Sequence, residues 1–283
     1  MLQAEILAEI FAPFKPILGS YFSERLVFEP PPHAEEIVPA VEYIKPTKLL
    51  EAIEQTASYW KTSDLRVAAS MWNKHYNNAV LPGVLAYMTL TGVGLDAALD
   101  NASIVVCDRH PQALLLHSLD GTVIYKPRYP APLPTDFTGE LLSNVNDLHR
   151  AVFVNLFQSH LALAIDRVHA LTKLSKKIMW GNAGNLCVFL YEKFAECLGT
   201  EAAQRDDRVA LLEQRESFAM PRFNPLYKPV RYEKVASPDL PPMAIVRRTC
   251  CLAYLIPNLT ACSDCPRLTT EERIELLKQE MEE

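Results

Sequence analysis

The chain has 283 residues, of which 49% are apolar and 22% are charged, a composition typical of a globular protein with a sizeable core. Its 28 basic and 34 acidic residues give a formal net charge of −6, which argues against a nucleic-acid-binding surface over the whole molecule. No apolar run approaches the roughly 18 residues that span a bilayer, and Glu5 and Glu9 interrupt an N-terminal stretch without the basic start of a signal peptide.

The first third of the chain has the apolar spacing of helices. This spacing predicts helices over Ala4–Phe22 and Thr47–Trp60, which a run of three prolines from Pro30 to Pro32 separates. Helical spacing resumes from Asp64 to about Leu99, and we expect an interruption around Pro82-Gly83 because proline breaks helix interiors.

A change of periodicity then predicts β-structure. The runs SIVVC, ALLLHSL and TVIYK are short and apolar or β-branched, and Asp120-Gly121 lies between the last two. Because Asp-Gly between such runs is a strong hairpin signal, we predict a small antiparallel sheet over Ser103–Lys126. The stretch Pro127–Pro134 can continue neither a helix nor a central strand, so it is expected to be an extended connector.

The rest of the chain is predicted to be mainly helical. Apolar residues at helical spacing predict a helix from Leu141 to about Leu171. Asn182 is the predicted N-cap of a second helix, and a third is expected over Glu201–Gln214. Pro221–Pro242 is predicted to be a linker with short extended pieces, and the capping-box pattern Thr269–Glu272 predicts a final acidic helix.

Four of the seven cysteines crowd into one short segment, at Cys250, Cys251, Cys262 and Cys265. We expect a cytoplasmic protein without a transmembrane segment, which leaves peripheral association with the inner face of a membrane open. Disulfides are rare in that reducing compartment, where clustered thiols are more often metal ligands, so we predict that these four bind a metal. The remaining three are interpreted as core or near-core residues, namely Cys107, Cys187 and Cys197.

The cysteine spacing leaves two kinds of metal site open. Only Cys262–Cys265 has the C-x-x-C form that a structural zinc site commonly uses twice. Four thiolates can also hold a 2Fe–2S cluster. Because such a cluster contains two irons, its four ligands lie further apart than the ligands of a single ion. The chemistry favours iron–sulfur and keeps zinc as the alternative.

Other residues outside the cysteine cluster are candidates for functional roles, although each also suits an ordinary position in the core or on the surface. The seven histidines do not cluster, and the sequence has no Gly-x-Gly-x-x-Gly and no Walker loop. Arg247 and Arg248 precede the first cysteine pair and are predicted to oppose the negative charge of a four-thiolate site. The candidates for a ligand surface are Trp72, Lys126, Arg128, Trp180 and Asn182. The apolar residues expected to cover the site are Leu252, Tyr254, Leu255, Ile256 and Leu259.

The pattern CC-x10-C-x2-C, preceded by Val-Arg-Arg-Thr, resembles the ferric siderophore reductase family of the FhuF type. FNPLYKPV (Phe223–Val230), KIMWGNAGNL (Lys177–Leu186) and SMWNKHYNNAVLPGVLA (Ser70–Ala86) are similar to further segments of that family, with Gly83 in place of a second proline. The resemblance implies that the four cysteines bind one 2Fe–2S cluster. It also implies one-electron reduction of an imported ferric siderophore, here expected to be of hydroxamate type, which releases ferrous iron in the cytosol.

We therefore expect an α+β protein that is mostly helical, with a small antiparallel sheet and a C-terminal cysteine-rich iron–sulfur segment. Residues 1–242 are predicted to form the domain with the substrate and donor surface, and residues 243–283 the 2Fe–2S segment and terminal helix. Because no flavin or nucleotide fingerprint is present, the electron is expected from an external donor such as a ferredoxin or flavoprotein. An electron carrier without its own siderophore site and a zinc-stabilised binding module remain the alternatives.

Overall fold

The protein is described by a computed structural model over residues 4–133, 137, 139–198 and 206–282. The named helices are, in chain order, α1 (Ala4–Phe11), α2 (Lys15–Leu18), α3 (Ser20–Ser23), α4 (Ala40–Tyr43), α5 (Pro46–Tyr59), α6 (Leu65–Ala86), α7 (Val145–Phe153), α8 (Ala162–Thr172), α9 (Lys176–Leu198) and α10 (Thr270–Glu282). The strands are β1 (Leu26–Val27), β2 (Glu36–Pro39), β3 (Val93–Gly94), β4 (Ala102–Cys107), β5 (His110–Leu116), β6 (Val123–Tyr125), β7 (Glu140–Leu142), β8 (Val230–Lys234) and β9 (Met243–Arg247). The predicted, mostly helical α+β class is confirmed.

The long helix α6 forms the centre of the fold. Asp64 caps its N-terminus, because the Asp64 carboxylate accepts a 2.9 Å hydrogen bond from the backbone N–H of Arg66. From Val67 onward nearly all of its side chains are buried, and α5, α9 and β5 pack against it. A helix buried on nearly every side is typical of a core element, and here it supports both the sheet and the later helices.

The predicted interruption of α6 at Pro82-Gly83 is wrong. The helix runs through Pro82 and continues into a π-helical turn at Tyr87–Thr91. An internal proline costs about 3 kcal/mol, and burial of this helix on all sides offsets that cost. A Cβ on Gly83 would lie 2.3 Å from the Cβ of Leu26, so glycine is needed here for the close approach of β1.

The N-terminal helical prediction is confirmed in outline. The region predicted as one helix over Ala4–Phe22 is divided into α1, a 3₁₀ turn, α2 and α3. Gly19 lies between α2 and α3 with a φ of 74°, a left-handed conformation that ends the helix. The predicted helix Thr47–Trp60 is present as α5.

A four-stranded mixed sheet packs against α6 in the order β1-β5-β4-β2. β4 pairs antiparallel with β5 and β2, whereas β1 runs parallel to β5. The turn between β4 and β5 contains Asp108 and Arg109, with φ values of 48° and 64°. Two left-handed central residues suit the right-handed strand twist of a tight hairpin, so the hairpin lies here.

The predicted hairpin at Asp120-Gly121 is therefore wrong. β6 does not pair with β5 and instead joins β3 and β7 in a separate three-stranded sheet. The Asn101 side chain donates 2.9 Å hydrogen bonds to the backbone oxygens of Asp96 and Ser118, which holds the chain after β5 against the loop before β4. This local anchor directs β6 away from β5.

The second half of the chain contains two long helical runs. α7, a π-helical stretch and α8 follow one another without a break, but Leu141 lies in β7 rather than in the predicted helix. α9 begins at Lys176, so the prediction that Asn182 is an N-cap is wrong. Packing of α9 against α6 offsets the helix cost of Gly181 and Gly184, roughly 1 kcal/mol each. Residues 201–205 of the predicted third helix lie outside the described residues, and 206–213 are helical.

The C-terminal part is joined to the rest by a small antiparallel sheet. β8, within the predicted linker, pairs with β9, so Val230 lies opposite Arg247. The predicted capping box of α10 is confirmed, because Thr269 N–H donates to Glu272 and Glu272 N–H donates to Thr269, at 2.8 and 3.2 Å. The predicted connector after Lys126 has no regular structure up to residue 133. Among the helices of the described ranges, none combines the length and apolarity needed to cross a bilayer.

Candidate metal centre

The four clustered cysteines line one small pocket at the end of β9. Cys250 and Cys251 follow β9, and Cys262 and Cys265 return to the same pocket from the next loop. All four are free thiols, and Cys262 is the exposed one. Within the described residues, no group of three or more His, Cys, Asp or Glu side chains is arranged so that it could hold a metal ion. A set of four thiols around one pocket fits the Cys₄ ligation of a 2Fe–2S cluster.

Two turns bring the thiols into this pocket. Leu252 has a left-handed φ of 66°, and its backbone N–H donates to the Cys250 Sγ at 3.4 Å. In the second pair, the Cys265 N–H donates to the carbonyl oxygen of Cys262 at 2.9 Å. Hydrogen bonds to ligand sulfurs are one of the means by which proteins tune iron–sulfur potentials.

The electrostatics of the pocket show why a cationic centre suits it. Burial raises the pKa of the Cys250 thiol above its usual value, and nearby Cys251 and Cys265 add to this rise. Burial also raises the pKa of Cys262, although that residue is exposed as a whole, and the positive charge of Lys74 acts against the rise. A bound cation would offset both effects and stabilise the ionised forms of Cys250 and Cys262.

Arg273 of α10 fixes the second cysteine pair. Its guanidinium is almost completely buried and donates to the backbone oxygens of Ser263 and Cys265, the latter at 3.0 Å. Its Nε also lies 3.6 Å from a Glu233 carboxylate oxygen of β8. This role of Arg273 was not predicted, because a single arginine in an acidic helix looks like an ordinary surface residue in the sequence.

Helices α6 and α9 hold the cysteine segment from the other side. Ser70 Oγ donates to the carbonyl oxygen of Cys251 at 2.6 Å, and Asn182 Nδ2 lies 3.3 Å from the same hydroxyl oxygen. Asn185 Nδ2 donates to the Asp264 carboxylate at 3.2 Å. The two helices therefore contact both cysteine pairs, and the Trp-Gly-Asn-Ala-Gly-Asn stretch forms part of that contact.

A glycine permits this contact. A Cβ on Gly181 would lie 2.7 Å from the Cβ of Thr249, the residue that precedes the first cysteine pair. Asn182, predicted as a substrate-binding candidate, is 6% exposed, and its side chain is occupied by hydrogen bonds to Ser70 and Asn73. Its contacts in this structure are those of a residue that positions the cysteine segment.

The structure separates the two arginines that were predicted to act together. Arg247 lines the cysteine pocket, and its Nε donates to Asp264 Oδ2 at 2.8 Å. Although burial opposes its charge, Asp264 and then Cys251 hold the pKa of Arg247 above its usual value. Arg248 instead donates to the carbonyl oxygen of Val230 at 3.1 Å and lines a different pocket.

Both tryptophans among the ligand candidates belong to the core. Trp72 is 1% exposed and stacks on Tyr76, with ring centroids 4.8 Å apart, and on Tyr43. Trp180 is 7% exposed within the same core cluster. Both rings are buried in this structure, and their assignment to a ligand surface stays a prediction.

The two basic candidates lie apart from the cysteine pocket. Arg128 donates to Asp207 Oδ2 at 2.8 Å, and His149 Nε2 lies 2.6 Å from the other oxygen of the same completely buried carboxylate. Arg128 thus neutralises a buried charge, and its assignment to the substrate surface stays a prediction. Lys126 is exposed and does not line the cysteine pocket.

The predicted apolar cover is only partly formed. Ile256 is 5% exposed and packs with Val67 and Met71 of α6, beside Cys251. The other members of the predicted cover include three large exposed side chains, Tyr254, Leu255 and Leu259. The cysteine pocket therefore lies close to the protein surface.

Two family models match the chain. The model described as ferric iron reductase FhuF-like transporter matches residues 70–239, more than half of the chain. The model described as FhuF 2Fe-2S C-terminal domain matches residues 247–267, which contain all four clustered cysteines. A comparison with curated proteins gives no match.

Solved structures with a similar fold are known. The aerobactin synthetase IucC from a hypervirulent pathotype of Klebsiella pneumoniae is 14% identical, with a TM-score of 0.56, over 79% of this chain and 46% of that protein. The ATP-bound aerobactin synthetase IucA from the same source is 13% identical, with a TM-score of 0.51, over 64% of this chain and 34% of that protein. The chain thus spans less than half the length of either protein, and identities this low show the fold alone.

Proposed function

The chain belongs to the FhuF-like ferric iron reductase family and has its 2Fe–2S C-terminal domain, and we propose that it reduces ferric siderophores of hydroxamate type by one electron. The observation that supports this proposal most directly is the convergence of all four thiols of that domain on one pocket near the surface. In the proposed reaction one electron passes to the ferric ion, which leaves as ferrous iron in the cytosol. No bond of the organic chelator breaks.

The chain's residues have simple roles in this reaction. Cys250, Cys251, Cys262 and Cys265 hold the 2Fe–2S cluster, which supplies, when bound, a centre that gains and loses one electron. Hard hydroxamate oxygens bind ferric iron much more tightly than ferrous iron, so electron transfer is sufficient to release the metal. The electron is proposed to come from an external donor such as a reduced ferredoxin or flavoprotein.

The test is a single-turnover oxidation. Protein reduced chemically under anaerobic conditions and mixed with a ferric hydroxamate should regain its oxidised visible spectrum. Ferrous iron should appear in a ferrous-specific chelator, with one equivalent per oxidised cluster. The one-to-one ratio follows because a 2Fe–2S centre exchanges one electron and ferric reduction requires one.

The control is ferricyanide, which should oxidise the reduced protein whatever its physiological role. If ferricyanide oxidises the cluster but ferric siderophores of several types leave it reduced, the reductase proposal fails. That outcome would favour the alternative of an electron carrier without its own siderophore site.

We also expect Arg247 to raise the reduction potential. One added electron increases the negative charge at the four thiolates, and a guanidinium in the pocket wall opposes this increase. At an effective dielectric of about 20 and roughly 8 Å, one charge contributes about 2 kcal/mol, which solvent and salt reduce to as little as about 0.5 kcal/mol. Arg247→Gln should therefore lower the potential by about 20–80 mV. A redox titration of the purified variant beside the parent measures this shift.

Two matched variants test the same explanation. Arg248→Gln removes an equal charge from a residue outside the cysteine pocket and should shift the potential far less. Asp264→Asn removes the negative partner of Arg247 and should shift the potential upward. Equal shifts for Arg247→Gln and Arg248→Gln would contradict a local role for Arg247.

A further inference from the structure

A second, polar pocket adjoins the cysteine pocket, between α6 and α9. Arg247 and Asp264 line both pockets, so their ion pair forms the wall between them. Asparagines dominate the rest of the second pocket, whose lining also contains one lysine and one phenylalanine. The residues used below are Lys74, Asn78, Asn185 and Phe189. A ligand in this pocket would be separated from the thiols by a single layer of side chains.

Lys74 gives the pocket a positive charge. It is half-buried and takes part in none of the ion pairs found within the described ranges. Lys74 lines this second pocket and is not among the residues that line the cysteine pocket. Since Arg247 is neutralised by Asp264, Lys74 determines the sign of the charge that a ligand would meet.

The amides supply directed hydrogen-bonding groups. The Asn78 Oδ1 accepts a 2.8 Å hydrogen bond from the Tyr21 hydroxyl, which leaves the NH₂ group of Asn78 for the pocket. Asn185 donates its NH₂ group to Asp264, which leaves its carbonyl oxygen. Phe189 is 41% exposed at the same pocket and offers an apolar surface. The Asn78 NH₂ group and Lys74 suit negative oxygens of a ligand, and Phe189 suits its organic frame. The Asn185 carbonyl oxygen can accept only from a donor group of the ligand.

From this arrangement we infer that the α6–α9 pocket binds an anionic ferric hydroxamate, one whose organic frame also carries carboxylates, with Lys74 and the Asn78 amide contacting its oxygens. The inference rests on the proposed reductase function and assigns that function a substrate site. The cavity volume of about 250 Å³ is below the range of roughly 300–1,000 Å³ that encloses a drug-sized ligand. The pocket therefore receives one face of the chelate, and the rest stays in solvent.

The test uses gallium(III) chelates, which have the charge and shape of ferric chelates but are not reduced. The oxidised, cluster-loaded protein is titrated with the gallium complex of an anionic chelator that carries hydroxamate and carboxylate groups and, in parallel, with that of a neutral tris-hydroxamate chelator. Lys74→Gln should weaken binding of the anionic complex about two- to fivefold, the usual scale for one partly exposed charge pair, and binding of the neutral complex less.

Asn78→Asp provides a variant of matched shape. It keeps an oxygen for the Tyr21 hydroxyl but replaces the NH₂ donor with a negative oxygen, so it should weaken binding of the anionic complex at least as much. Lys15→Gln is the matched control, because Lys15 is exposed and is not among the residues that line this pocket. Its binding constants should equal those of the parent.

Three results would overturn the inference. The parent could fail to bind either gallium complex, or both pocket variants could bind them as the parent does. Alternatively, Lys74→Gln could slow reduction by the protein donor while leaving chelate binding unchanged, which would assign the pocket to the donor. Oxidation of the reduced parent by ferric chelates is measured separately, so loss of the substrate site and loss of the reductase function are distinguishable.

Discussion

Serine at any one of the four clustered cysteines is expected to remove most or all of the visible absorption of the anaerobically purified protein. Each thiol lines the same pocket, and a hydroxyl is a far weaker ligand for iron than a thiolate. Iron and sulfide content should fall together with the absorption, and the EPR signal of the reduced protein should disappear. The variants to prepare are Cys250→Ser, Cys251→Ser, Cys262→Ser and Cys265→Ser.

The three remaining cysteines provide the controls. Cys107 lies in β4, and Cys187 is completely buried in α9, where burial raises the pKa of its thiol far above the usual value. Cys197, near the end of α9, completes the set. Alanine at each of these positions should leave the spectrum per folded protein unchanged. A full-intensity spectrum from both Cys250→Ser and Cys251→Ser would contradict ligation by four cysteines.

Sequence periodicity predicted well those helices that bury one apolar face and expose the other. α5 and the capping box of α10 lie where the pattern placed them, because apolar spacing and local hydrogen bonds determine these elements. The break expected at Pro82 is absent, and α9 begins at Lys176 rather than at the predicted N-cap Asn182, since packing on several sides outweighs the local cost of proline and glycine. The helix propensities of single residues contain no information about this tertiary packing.

The hairpin was misplaced for a related reason. Asp-Gly is the stronger local turn signal, but the native turn is formed by Asp108-Arg109, whose left-handed conformation is imposed by the pairing of β4 with β5. The chain after β5 is directed elsewhere by Asn101, a side chain seventeen positions before Ser118. Contacts at such separations carry no signature in a single sequence.

The grouping of the four cysteines could be predicted from the sequence, but the residues that support them could not. Crowded thiols have few explanations under the expectation of a reducing compartment, so the sequence predicted a metal site. Ser70, however, lies 181 residues from Cys251, and only the fold brings its hydroxyl to that carbonyl oxygen. The asparagine-rich segment of α9 was noticed for its small residues, yet its contacts with Asp264 and Ser70 required the structure.

The second large effect is expected at the buried carboxylate of Asp207. This residue is completely buried between Arg128 and His149, and Asp207→Ala would leave the Arg128 charge without its partner. Removing one member of a buried ion pair typically costs about 3–5 kcal/mol. We therefore expect the free energy of unfolding to fall by that amount, measured as a lower midpoint in urea at constant m-value.

The neighbouring Asp206 supplies the control, because it is exposed and Asp206→Ala should change the free energy of unfolding by less than about 0.5 kcal/mol. Arg128→Ala then decides between the two roles considered for that arginine. If Arg128 supports the fold, this variant loses stability, while the folded fraction binds gallium chelates as the parent does. If it contacts substrate, as the sequence alone suggested, stability is kept and chelate binding falls. The 2.8 Å contact with a carboxylate that has no access to solvent leads us to expect the first result.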